Sequence, residues 1–74
     1  MEKQFIIRPY GKRELAMAYT RGTMSAHASL NWLNNEIALY PGLLEQLQAL
    51  GYRSGQRIIT IAQLRAIVGA IGEP

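Results

Sequence analysis

Tyr10-Gly-Lys-Arg-Glu-Leu-Ala-Met-Ala-Tyr19, then the polar Thr20-Arg-Gly-Thr-Met24, then Ser25-Ala-His-Ala-Ser-Leu-Asn-Trp32, is the stretch whose reading decides the fold. It reads as two consecutive helices with a break between them, the opening of a helix-turn-helix, a unit used by DNA-binding modules and by plain scaffolds alike. Tyr10 at N′, Gly11 at the N-cap, Glu14 at N3 and Leu15 at N4 have the offsets of a hydrophobic staple with a capping carboxylate, so the first helix begins there. It runs to about Tyr19, with Leu15, Ala18 and Tyr19 turned inward. Thr23 or Ser25 supplies the oxygen that caps the second helix. Ala26, Leu30, Leu33, Ile37 and Tyr40 then recur at helical spacing and should face the core. That helix stops near Tyr40, because the residue before Pro41 is pushed out of the α region.

Working outward, Phe5-Ile-Ile-Arg8 is apolar, β-branched and stopped by Pro9, the pattern of a short edge strand. Pro41 suits the first position of a third helix, where its missing N–H costs nothing. Leu43, Leu44, Leu47 and Leu50 form that helix's buried face, and Gly51 with Tyr52 offers a Schellman stop. After an Arg53-Ser-Gly-Gln56 turn, Arg57-Ile-Ile59 is a second β-branched run able to pair with residues 5 to 8. Thr60 and Gln63 make a capping box, stapled by Ile59 and Leu64, for a fourth helix carrying Ile61, Leu64, Ile67, Val68 and Ile71. The expectation is one α+β, mainly α domain over residues 1–74: four helices, a helix-turn-helix-like core and a minimal two-stranded sheet.

At 74 residues the chain is one small domain without cysteine, which excludes a disulfide framework, a thiolate metal site and a cysteine nucleophile. The apolar residues, 49% of the total, are spread through the chain, so none of its runs reaches membrane-span length. The N-terminal residues lack the apolar region and cleavage site of a secretory signal, and a cytoplasmic location is expected.

The net charge of +3 is unevenly placed. Lys3, Arg8, Lys12, Arg13 and Arg21 lie at one end and Arg53, Arg57 and Arg65 at the other, while residues 22 to 50 carry no Lys or Arg. A phosphate-facing patch therefore requires the two ends to meet in space.

Catalytic raw material is thin, with no Asp and a single His. His27 has no carboxylate neighbour at ligand spacing, so neither a metal site nor a cofactor is expected. Ser25, His27 and Ser29 do not face one another on a helix, and the glycines form no phosphate loop. The chain is read as non-enzymatic.

Binding remains. His27, Asn31, Asn34 and Asn35 form a polar, uncharged face on the second helix, and Asn can pair bidentately with adenine. Lys12, Arg13 and Arg21 would supply the phosphate contacts that this helix lacks, with Arg53, Arg57 and Arg65 as a second flank. The alternative is a protein-interaction or self-associating module built on an aromatic and apolar surface around Trp32. The bland reading of each is a solvated helix face, ordinary solubilising charge, and an aromatic packed beneath a neighbouring helix.

Phe5-Ile-Ile-Arg-Pro-Tyr-Gly-Lys12, Glu14-Leu-Ala16, Trp32, Pro41 with Leu43-Leu44, Leu50-Gly-Tyr52, Thr60 with Gln63, and Ile71-Gly-Glu-Pro74 together resemble a family of small bacterial proteins known as domain of unknown function 4248. The resemblance spans about residues 4 to 74 and implies no activity, cofactor or catalytic residue. In that family the positions beside the tryptophan are often basic, whereas here they are Asn31, Leu33, Asn34 and Asn35. A proline commonly follows the threonine; here it is Ile61, which leaves the capping box intact.

Overall fold

A computed structural model describes residues 5–74. Four helices, α1 (Lys12–Thr20), α2 (Ala26–Leu39), α3 (Leu43–Ala49) and α4 (Ile61–Ile71), are joined by a two-stranded antiparallel sheet of β1 (Tyr10–Gly11) and β2 (Ile58–Ile59). The chain is thus α+β and mainly α.

The helix starts follow their local chemistry. Glu14 accepts from the Gly11 amide at 3.2 Å, so the carboxylate caps α1 from N3. Ser25 caps α2, its oxygen accepting from the Ala28 amide at 3.1 Å. Thr60 and Gln63 exchange both bonds of a capping box at the start of α4. The Schellman stop of α3 forms as expected, Tyr52 N–H reaching Leu47 O at 2.9 Å and Gly51 N–H reaching Gln48 O at 3.0 Å.

The first strand lies elsewhere than expected. Residues 5 to 8 are not in the ladder; Tyr10 pairs with Ile59 and Gly11 with Ile58. Pro9 has no N–H to give to a ladder, and the pairing forms just beyond it, immediately before α1. Phe5 instead stacks on the Tyr10 ring at 5.3 Å, and Tyr10 Oη donates to the Ile6 carbonyl at 2.8 Å. Ile6, Ile7 and Arg8 are exposed.

Leu15, Ala16, Leu33, Ile37, Leu43, Leu47, Ile59, Leu64 and Ile67 fill the core between α1, α2, α3 and α4, with Tyr10 and Tyr52 closing its ends. The buried stripe on α2 is Ser29, Leu33 and Ile37, one position off at its start and ending before Tyr40. Ser29 is buried where it shares a hydrogen bond with Thr20, while Tyr40, at the C-cap, is exposed. On α1, Ala16 is buried and Ala18 and Tyr19 are half-buried. Pro41 stays in the turn, because Gly42 with φ 78° takes the N-cap and delays α3 to Leu43. The helix starts two residues later than expected and buries Leu43 and Leu47, while Leu44 and Leu50 are partly in solvent, as is Ile61 in the first turn of α4.

Gln63 ties the second half together. It is only 2% exposed, and its Nε2 donates to the last-turn carbonyl of Leu50 at 3.1 Å. Its Oε1 accepts from Thr60 N at 3.2 Å and from Gln56 Nε2 at 2.6 Å. Gln56 in turn receives the Arg53 amide and donates to the Ile58 carbonyl, so the 53–57 turn is pinned from within.

Candidate nucleic-acid interface

The β1–β2 ladder is what makes the charged ends of the sequence meet. One step beyond the paired residues, the Lys12 amide donates to the Arg57 carbonyl at 2.7 Å, so the first turn of α1 lies beside the 54–57 turn. Between these segments and α2 runs a groove of about 580 Å³. Gly11, Lys12 and Arg13 form one wall, Ser54, Gly55, Gln56 and Arg57 another, and Leu30 and Asn34 of α2 the third.

Three of the lining residues are basic and none is acidic. Glu14, the nearest acid along α1, is held by Arg8 at 2.8 Å and by the Gly11 amide. The Arg8 guanidinium, followed by the amide bond, holds the Glu14 carboxyl below its ordinary range; the same contact raises Arg8. The field in the groove is therefore left to its cations.

Lys12 is the unusual member. Its side chain is only 4% exposed, and Nζ donates to the Ser54 carbonyl at 2.6 Å while lying 5.2 Å from the centre of the Tyr52 ring. Among the described residues no carboxylate pairs with it, the ion pair found there being Arg8–Glu14. Arg13 and Arg57 are exposed at the groove edge.

The remaining site residues spread along α2 and away from the groove. His27, Asn31, Asn34 and Asn35 are all exposed, and of these Asn34 alone lines the groove. Arg21 sits at the opposite end of α1 from Arg13, exposed, in a left-handed conformation with φ 54°. Arg13 and Arg57 thus meet Asn34 in the groove, while Arg21, His27, Asn31 and Asn35 lie outside its lining. Arg53 and Arg65 are exposed and lie outside the groove lining.

Trp32 is half-buried, its ring 5.6 Å from that of Tyr19 on a different side of α2 from Asn34. Tyr19 Oη donates to the Gly72 carbonyl, and burial, with Glu73 second, pushes its phenol up to about 12. Trp32 thus packs into an aromatic seam that fastens the C-terminal end of α4.

A shallower hollow of about 310 Å³ lies between the ends of α2 and α4, lined by Glu36, Leu39, Tyr40, Pro41, Ala70 and Ile71. Leu39 is 75% exposed there. The turn residues Ser54, Gly55 and Gln56 carried no signal of a site in the sequence. A Ser-Gly pair between two apolar runs marks a turn and nothing more.

Comparison with known proteins identifies one family. The model described as Domain of unknown function (DUF4248) matches residues 6–74, nearly the whole chain, and the chain belongs to that family. No curated protein and no solved structure matches.

Proposed function

We propose that this DUF4248 domain binds nucleic acid, with Arg13 and Arg57 at the groove and Arg21 beyond it meeting phosphates, and the His27, Asn31, Asn34 and Asn35 face lying along the strand. The observation that carries the reading is the convergence of Lys12, Arg13 and Arg57 beside Asn34 in a groove that no acidic side chain lines among the described residues. Phosphate contacts supply most non-specific affinity, and they are needed most by a helix that has no cation of its own. The polar side chains of α2 then have phosphate-binding groups on their flanks, as in modules where one helix reads and its neighbours position.

Titration of mixed-sequence DNA and RNA at two ionic strengths tests it. Affinity should fall steeply with salt, each phosphate contact adding roughly 0.9 to the log–log slope on duplex DNA. Absence of binding at low salt overturns the reading.

The second reading, a protein-interaction or self-associating surface, draws support from the exposed Leu39 and Tyr40 beside Ala70 and Ile71. Trp32, half-buried against Tyr19, contributes to such a surface only by its outer edge. Light scattering across a dilution series, with Leu39→Ser and Trp32→Ala, separates the two: a monomer at every concentration removes self-association.

A further inference from the structure

We infer that the groove is a seat for a single phosphomonoester-bearing nucleotide, either free or at the end of a strand, rather than a stretch of surface that tracks the middle of a duplex. The inference rests on the nucleic-acid reading and specifies the ligand of that same groove.

The first observation is the state of Lys12. A side chain 4% exposed carries an ammonium whose partners among the described residues are a neutral carbonyl and an aromatic face. Buried charges in folded proteins are almost always compensated by an opposite charge. Here one carbonyl occupies one of three N–H donors, and the residue lines the cavity. Among the described residues no carboxylate supplies its counter-charge, and a phosphate would bring one.

The second is the company that the ammonium keeps. Arg13 of α1 and Arg57 of the 54–57 turn, both exposed, line the same cavity, so three basic residues share it. A phosphomonoester carries close to two negative charges at neutral pH and three strong acceptor oxygens, whereas a diester within a strand carries one charge and is flanked by sugars on both sides. A dianionic end phosphate therefore matches a lining with three basic residues better than a mid-strand diester does.

The third is size and wall chemistry. About 580 Å³ falls in the range of small-molecule sites, roughly 300–1,000 Å³, and is far too small for a duplex. Beyond the cations the wall continues as Leu30, which offers an apolar contact, and Asn34, whose amide can donate and accept at a base edge. One lining thus offers basic residues to a phosphate and Leu30 with Asn34 to a base.

The experiment compares three probes with the full chain: a single-stranded oligonucleotide bearing a 5′-phosphate, the same strand ending in a 5′-hydroxyl, and adenosine monophosphate. Amide chemical shifts report where each binds. The phosphorylated strand should bind about tenfold or more tightly than the hydroxyl strand, in line with added charge-assisted bonds. Adenosine monophosphate should compete with it, moving the amides of Lys12, Arg13, Asn34 and 54 to 57.

Arg57→Gln, an exposed position whose loss leaves the core untouched, should erase the preference for the phosphorylated end. Lys12→Met should do the same, and Arg57→Gln keeps the test decisive if that buried substitution impairs folding. Equal binding of both strands overturns the inference and leaves the nucleic-acid reading standing. Binding of adenosine monophosphate without either strand overturns the strand-end form of the inference together with the nucleic-acid reading it rests on. Silence of all three probes overturns the inference, and the two-salt titration of DNA and RNA then decides the nucleic-acid reading by itself.

Discussion

Thr20 Oγ1 and Ser29 Oγ lie 2.8 Å apart in the buried contact between α1 and α2, each hydroxyl answering the other across the turn. Thr20 Oγ1 also reaches the Met17 carbonyl at 3.4 Å, so the pair is satisfied within the fold. Ser29→Ala should destabilise the domain by about 1–3 kcal/mol, because it strands a buried polar group and opens a small void. Thr20→Val combined with Ser29→Ala should recover part of that loss. Denaturant unfolding of the two single variants and the double gives the coupling directly.

Gln63 holds Leu50, Gln56 and Thr60 at once, so its truncation should exceed the loss of an ordinary cap. We expect Gln63→Ala to cost roughly 2–4 kcal/mol against about 1 kcal/mol for Thr60→Ala. Hydrogen exchange should also accelerate across residues 53 to 57 in Gln63→Ala, while α1 stays protected. Equal effects of the two substitutions would show that the buried side chain contributes only as a cap.

Arg21 adopts φ 54°, a conformation that disfavours any residue with a Cβ. Arg21→Gly should therefore stabilise the fold by up to about 1 kcal/mol. The same substitution should lower the salt slope of DNA binding by roughly 0.9. A gain in stability without a change in the slope would confine Arg21 to a turn residue.

Titration of Glu14 sets the acid side of the stability curve. Its carboxyl is held below the ordinary value by Arg8 and the Gly11 amide. A depressed carboxylate contributes stability that is present above its unfolded pKa, near 4.5, and lost as pH falls through the folded one. Glu14→Gln should flatten thermal stability over that acidic window while leaving the alkaline limb unchanged.

Tyr19 acts at the other end. Its phenol, pushed up to about 12 from 10, favours the folded state fully below pH 10 and loses that contribution as pH rises toward 12. Phenolate absorbance should show one tyrosine titrating late. Tyr19→Phe should remove both that step and the corresponding part of the alkaline destabilisation.

Much of the fold was legible because helix signals are local. Gly11 with Glu14, Ser25, Thr60 with Gln63, and Gly51 with Tyr52 each place their partners within a few residues, and each forms in the structure. The strand at residues 5 to 8 was misplaced because β-branched composition speaks of propensity, whereas pairing depends on which amides face a distant partner. Tyr10 and Gly11, spoken for by the helix start, serve the ladder as well.

The groove was half legible. Charge at both ends of the chain showed that a basic site required their meeting, and Lys12, Arg13, Arg57 and Asn34 do line one cavity. Burial of Lys12 was invisible, since its acceptor on Ser54 is 42 positions away and a lysine in a first helical turn reads as solvent-facing. His27, Asn31 and Asn35 gave a true polar face but no hint that only Asn34 reaches the groove.

The short ladder between Tyr10–Gly11 and Ile58–Ile59 also fixes when the groove can exist. The contacts between α1 and α2 and between α3 and α4 join neighbours in sequence and can form early, but the ladder must close a long loop whose entropy is met last. Two of the groove's three walls are far apart in the sequence, 11–13 and 54–57, so a half-folded molecule with both helix pairs in place has no groove. On the reading proposed above, an anion seated there would recognise only the closed chain and by mass action would hold it closed. Occupancy and resistance to proteolysis should accordingly rise together, the ligand serving as the clasp of the domain it binds.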